Sequence, residues 1–206
     1  MANVDIQLYD RNGAPLVLAK GSNGNSGLLV QQAGTLFDEA VDRGNVYITA
    51  NQTTVTTQAG LSGTTTALTV ANRISSGKVV KLWYASAISL VASVAAAVVW
   101  LAQGGSATAA AVTETTVATS RNAKTGDAGA PTGVAFLSVA TLPAAPVAID
   151  ILGASLTGII TTVPAVAPMA NWYHGALRLP ANFNWSIQTS TAGTFFCVFI
   201  VEIVDA

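Results

Sequence analysis

The last strand-like segment of this chain, Phe195–Val204, has no polar face. In an extended chain, successive side chains point to opposite sides. Phe195, Cys197, Phe199, Val201 and Ile203 therefore share one face, and Phe196, Val198, Ile200, Glu202 and Val204 share the other. β-Branched and aromatic residues suit a strand. An antiparallel sandwich strand ordinarily wets one face, but here both faces need cover. One face can enter a sandwich core. The other, carried by Phe196, Val198 and Ile200, reads as a subunit interface.

The composition points the same way. Nine basic and ten acidic side chains serve 206 residues, so charged residues make up 9 %, where soluble domains run near a quarter. These few charges must coat a surface of roughly 9,000 Å² by size scaling. Such a sparse coat implies that partners cover part of the surface. The net charge of −1 argues against electrostatically driven nucleic-acid binding. The apolar character, with 51 % hydrophobic residues, argues against disorder. Cys197 is the only cysteine, so this is not a disulfide scaffold. The N-terminus lacks a basic start followed by an apolar block, and synthesis in the cytoplasm is expected. Asn51-Gln-Thr and Asn184-Trp-Ser fit the glycosylation pattern and read as chance matches.

Leu82–Ala102 carries no charge and is long enough to cross a bilayer. Lys78, Lys81, Trp83, Tyr84 and Trp100 would suit interfacial anchoring. Three serines, many alanines and a set of β-branched residues favour a pair of buried strands instead. No membrane partner is expected. An Ala-rich helix over Ala92–Ala97 is a lesser alternative.

Along the chain, strands dominate. Val4–Tyr9 alternates apolar and polar residues, Asp10–Gly13 reads as a turn, and Pro15–Leu18 as a second short strand. Gly21–Gly27 is a flexible break, which makes residues 1–27 an N-terminal arm and 28–206 the main domain. Val4, Ile6 and Leu8 form the apolar side of that arm. A free amphipathic strand needs a sheet edge to pair with, in another protein, in a neighbouring copy, or in its own sandwich. Leu28–Gln32 begins the body. Leu36–Arg43 is the most charged stretch and reads as a solvated connection, with a helical turn or an edge strand as alternatives. Further strands are expected at Val46–Thr57, Thr64–Ala71, Lys78–Leu90, Ala92–Leu101, Thr113–Thr119, Val134–Val139, Val147–Leu152, Thr157–Val163 and Tyr173–Leu179. Phe183, Trp185 and Ile187 alternate with Asn184, Ser186 and Gln188, which predicts one buried and one wet face. Loops are expected at Asn72–Lys78 and Asn122–Gly133. About ten short strands with Gly, Pro and Asn turns read as an all-β antiparallel sandwich or barrel.

Reactive constellations are scarce. His174 is the single histidine; a Ser–His–Asp triad would have to use it, and no Gly-x-Ser-x-Gly elbow supplies a nucleophile. A zinc site needs several His or Cys ligands, and the chain offers one of each. Cys197 in an apolar strand reads as a buried, inert thiol. Ser75-Ser-Gly-Lys78 lacks the glycine and hydroxyl of a P-loop. Asp38, Glu39, Asp42, Glu114, Asp127 and Asp150 are the candidates for paired-carboxylate chemistry, and Asp38–Asp42 or Asp127 for an oxygen-liganded Ca²⁺, without EF-hand spacing. Trp83, Trp100, Trp172 and Trp185 suit core or interface packing, with sugar stacking as the other use. The reading is no enzyme, no cofactor and no metal.

The order of pieces resembles a family of structural proteins from tailed-phage virions. The residues that carry the resemblance are Asp38-Glu-Ala-Val-Asp-Arg-Gly-Asn-Val-Tyr47 and Asn72-Arg-Ile-Ser-Ser-Gly-Lys78 leading into Val79-Val-Lys-Leu. At the C-terminal end they are Gly175-Ala-Leu-Arg-Leu-Pro180 and a final strand with Glu202. The similarity spans roughly residues 35–206, and relatives often have Asn-Pro where this chain has Asn72-Arg73. It implies a jelly-roll sandwich that sits on or beside the head shell as a cement or decoration protein, often as a trimer. The expectations are a homo-oligomer, with the major capsid protein as partner. The protein would be made in the host cytoplasm and placed on the capsid exterior. A receptor- or glycan-binding jelly-roll module of a fibre or tail is the alternative, with Trp172, Tyr173 and His174 as its candidate ligand site.

Overall fold

The computed structural model describes residues 19–20, 26–27, 36–52, 55–65, 67–89, 96–106, 108, 110–155 and 169–206. The chain divides into two units, Met1–Thr35 and Leu36–Ala206. In the first, β1 (Ala19–Lys20) and β2 (Ser26–Gly27) pair antiparallel, with Ala19 opposite Gly27. The expected strands Val4–Tyr9, Pro15–Leu18 and Thr157–Val163 lie outside the described residues, as do Val4, Ile6 and Leu8 and the segment Leu28–Gln32 read as the start of the body.

The second unit opens with helix α1 (Leu36–Asp42). Strands follow as β3 (Val46–Ala50), β4 (Val55–Thr56), β5 (Thr64–Thr65), β6 (Thr69–Asn72), β7 (Lys78–Ser89) and β8 (Ala97–Gly105). Then come β9 (Thr113–Val117), β10 (Thr119–Asn122), β11 (Val134–Thr141), β12 (Val147–Ser155), β13 (Met169–Leu179), β14 (Phe183–Thr189) and β15 (Thr194–Asp205). Of the uncharged run, residues 82–89 and 97–102 are strand, in β7 and β8; residues 90–95, which hold most of the alternative helix, lie outside the described residues. No helix among the described residues is long and apolar enough to cross a membrane.

Four antiparallel ladders nest in sequence, first strand with last: β3 with β15, β6 with β14, β7 with β13 and β8 with β12. Laid across two sheets, this nested hairpin gives the orders β3-β15-β7-β13 in front and β6-β14-β8-β12 behind. That is a jelly roll, a sandwich of two antiparallel sheets. The segment between β8 and β12 widens both sheets on one side, because β10 joins β3 in front and β11 joins β6 behind. The single strand expected at Thr113–Thr119 is two strands. The fully exposed β9 runs on β11, and buried Ala118 marks where the chain crosses to the front sheet.

The core lies between the sheets. Leu82, Phe195, Phe199 and Val201 from the front meet Leu68, Leu101, Phe136, Trp185 and Ile187 from behind. Alternation works for β15, whose five core-face residues are all buried. It fails for β14. Asn184, Ser186 and Gln188 are buried rather than wet, because loops close over the back sheet. The Gln188 amide donates to Ser62 O, and its Oε1 accepts from Ser62 N. Asn184 lies against Gly104, where a Cβ would come 3.0 Å from its Oδ1. The amide of Asn184 has no hydrogen-bond partner among the described residues.

The loop at Asn72–Lys78 is pinned by one side chain. Asn72 Nδ2 donates to Lys78 O and Leu179 O at 2.8 and 2.9 Å, and Oδ1 accepts from the Ser76 hydroxyl at 2.6 Å. Arg73 turns away to form a two-pronged ion pair with Glu114. On the opposite side of the sandwich, Asp150 of β12 joins the sheets. It accepts from Tyr173 Oη at 2.5 Å and Asn171 Nδ2 at 2.8 Å, both on β13, and from its neighbour Ile151 N. Burial alone would raise the Asp150 pKa, but these three donors outweigh it and hold the carboxyl below its usual value.

A carboxyl depressed in the folded state stabilises the fold above its unfolded pKa, and the contribution fades as pH falls through the folded value. Tyr173→Phe should lower stability at pH 7 by about 1 kcal/mol, less than a hydrogen bond to a charged group ordinarily contributes, because water reaches Asp150 and screens it. It should also flatten the loss of stability below the ordinary carboxylate range. Urea unfolding at pH 7 and at pH 3 measures both effects; equal curves for the two proteins would contradict the clasp.

Candidate interaction face

The outer face of the front sheet is built by the second side of β15. Register places Glu202 beside Lys81 and Val46, Ile200 beside Tyr84 and Ile48, Val198 beside Ser86 and Ala50, and Phe196 beside Ile88. On β13, Trp172 continues the Ile200 row and Ala170 the Val198 row. The face expected from sequence at Phe196, Val198 and Ile200 is thus one contiguous surface, and these three residues are half-buried. Ile48 (41 % exposed) and Trp172 (55 %) bound its most open row.

One end of the face is covered from within the chain. The stretch read as a solvated connection is a helix because Phe37, Ala40 and Val41 recur at helical spacing and present one apolar side. Asp38 and Glu39 occupy its first turn, where negative charge suits the helix dipole. Ala40 packs with Val46 and Trp83, and Phe37, Val41 and Ile200 close around them. The Phe37 ring meets Trp83 edge-on at 5.1 Å and Trp172 at 6.4 Å. Beside this cluster Glu202, only 4 % exposed, is paired with Lys81 at 3.2 Å. It also accepts from Trp83 Nε1 at 3.3 Å. A buried carboxylate needs such partners.

Two irregularities aim the aromatic side chains. β7 has one residue more than β15 between Leu82 and Tyr84, and that residue is Trp83. Opposite it, β13 spends four residues, Tyr173–Ala176, between Trp172 and Leu177. Bulges of this kind bend a strand and redirect side chains. His174 takes a left-handed φ of 51° and Gly175 one of 74°, and the Trp83 ring lies 3.6 Å from where a Gly175 Cβ would stand. Exposed His174 stacks on Trp172 at 6.1 Å and 23°, and Tyr84 supports Trp172 at 4.8 Å. Of the three residues read as a candidate ligand site, Trp172 and His174 stand together. Tyr173 points inward to Asp150 instead.

The reactive candidates are dispersed. Glu39 pairs with Arg43, Glu114 with Arg73 and Asp205 with Lys78. The Arg73 guanidinium holds Glu114 below the usual carboxylate range. Both line a cleft of about 340 Å³ together with Val117, Pro131 and Phe136. Burial pushes the Cys197 thiol up to about 12, which keeps it protonated and unreactive. Among the described residues, no group of three His, Cys, Asp or Glu side chains is placed to hold a metal ion.

Trp83 is the keystone of the covered end. Trp83→Ala should cost about 3 to 5 kcal/mol, the range for removing a buried aromatic side chain. It should also release α1, seen as faster amide exchange across Leu36–Asp42. Unchanged exchange there would show that α1 is held by something else.

No protein-family model matches the sequence, and neither a curated protein nor a solved structure matches it.

Proposed function

We propose that the chain is a structural virion protein, a cement or decoration component that binds and stabilises a phage capsid through protein–protein contacts. The observation that carries this reading is the outer face of the front sheet. Apolar side chains from four strands form one surface, on a chain in which only 9 % of residues are charged. Obligate interfaces resemble a domain core cut in half, and cyclic closure hides such a face completely. A homotrimer on the capsid exterior, attached to the major capsid protein, fits this chemistry and needs no cofactor and no catalytic group. The jelly roll supports it by analogy alone, since viral capsid and lectin domains share that architecture.

One observation favours a second reading. The exposed Trp172 ring with His174 stacked beside it is a flat platform on which the apolar face of a sugar can lie, as in a receptor- or glycan-binding module of a fibre or tail.

Purified particles should carry the chain at a fixed copy number, and recombinant protein added to shells that lack it should raise their disruption temperature. Glycan binding by the isolated chain without attachment to shells would replace the first reading by the second. For the isolated protein, Val198→Asp should keep the thermal transition of the fold, because Val198 lies outside the sandwich core. It should lower the assembled fraction at micromolar concentration at least tenfold, since it places an unpaired charge in the interface. Light scattering measures this; a native chain that is already a 21 kDa monomer would overturn the self-association.

A further inference from the structure

The outer face is not flat. Its middle row, Ala50, Val198, Ser86 and Ala170, carries short side chains. The flanking rows carry long ones: Ile48, Ile200, Tyr84 and Trp172 on one side, Phe196 and Ile88 on the other. The middle row is therefore the floor of a trough across β3, β15, β7 and β13, walled along all four strands on one side and by Phe196 and Ile88 of β15 and β7 on the other. With neighbouring strands about 4.8 Å apart, the trough runs roughly 15 Å. It needs an occupant that is extended, about five residues long and apolar on one side only.

We propose that the occupant is Val4–Tyr9 of a second copy of this chain. Val4, Ile6 and Leu8 span roughly 13 Å when extended, which matches the trough, and Asp5 and Gln7 fall on the opposite side. A segment with a single apolar side suits a surface that covers one side. The chain outside the second unit is also long enough. Between Tyr9 and Leu36, β1 pairs with β2, and residues 10–18 and 28–35 are left to serve as tether. Fully extended, those stretches reach roughly 55 Å, against a radius of gyration of roughly 15 Å for a domain of this size. The tether joins the body at α1, whose Phe37 touches Trp172 on the rim of the trough. An arm that folded back would cover the trough but leave a monomer with a sparse charged coat. Exchange around a cyclic oligomer covers the same face and removes further surface from water. The proposal rests on the reading of this face as a self-association surface and does not depend on the capsid assignment.

The test uses two full-length variants, Ile6→Cys and Val198→Cys, each checked for an unchanged thermal transition. The native Cys197 is fully buried and stays out of the reaction. Mixed in equal amounts and oxidised mildly, they should give a disulfide-linked heterodimer as the main product on non-reducing gels. A mixture of Gln7→Cys with Val198→Cys should give severalfold less. Adding Ala170→Trp to the Val198→Cys chain, which fills one end of the trough, should reduce the link. A compact, internally linked monomer from the double variant Ile6→Cys/Val198→Cys, with no link between mixed single variants, would overturn the proposal. So would equal linking at residues 6 and 7. Light scattering of the same samples separates the two levels: an oligomer without the link removes the arm from the trough, whereas a monomer removes the self-association face itself.

Discussion

β15 is the member on which the rest of the fold depends. It is hydrogen-bonded to β3 along one edge and to β7 along the other, and the β7 ladder runs from Phe195 to Asp205. Its two faces do different work. One inserts Phe195, Cys197, Phe199, Val201 and Ile203 into the sandwich core. The other leaves Phe196, Val198 and Ile200 on the outside of the sheet. Burial of apolar area is the main driving force for both tasks, so a strand without a polar face can be finished only by cover from both sides. The core supplies one cover, α1 supplies part of the other, and the remainder is the surface to which we assign function.

A jelly roll leaves two open flanks, and each is closed by a different device. On the β3 and β6 side, the β9–β11 segment adds strands to both sheets, and the Arg73–Glu114 pair ties β9 to the loop after β6. On the β12 and β13 side, no strand is added among the described residues, and Asp150 bridges the sheets through Tyr173 and Asn171. Asp150 thus has a structural task that its isolation in the sequence did not suggest. The same holds for Glu202, buried under α1 with Lys81 and Trp83. Several of the few charges, Arg73, Glu114, Asp150, Lys81 and Glu202, thus sit at joints of the sandwich.

The aromatic corner follows from the bulges opposite one another in β7 and β13. Without the extra residue at Trp83, its indole could not share the outer side with Tyr84. Without the Tyr173–Ala176 excursion, His174 would not reach the Trp172 ring. This corner is where a polar ligand and a protein partner would compete, because Trp172 also forms the rim of the trough. Occupation by a neighbouring arm and sugar binding at the same Trp172 ring would therefore exclude each other.

Residue periodicity was enough to identify the all-β class, the long strands β7, β8, β13 and β15, and the common side of β15 shared by Phe196, Val198 and Ile200. Alternation is a local property, and a strand with two apolar faces has few ways to be buried. Phe37, Ala40 and Val41 carried a helical signal in the residues, but the charges of Asp38, Glu39, Asp42 and Arg43 masked it. Other features were decided by tertiary structure alone. Alternation promised Asn184, Ser186 and Gln188 to water, yet loops from distant parts of the chain close over them, and no local pattern records what will pack above a strand. Tyr173 parted from Trp172 and His174 because a bulge, not the sequence order, sets which way each side chain points. The trough is of the same kind. Its floor joins Ala50, Ser86, Ala170 and Val198, residues whose small or medium size means nothing until the register of four strands sets them in one row.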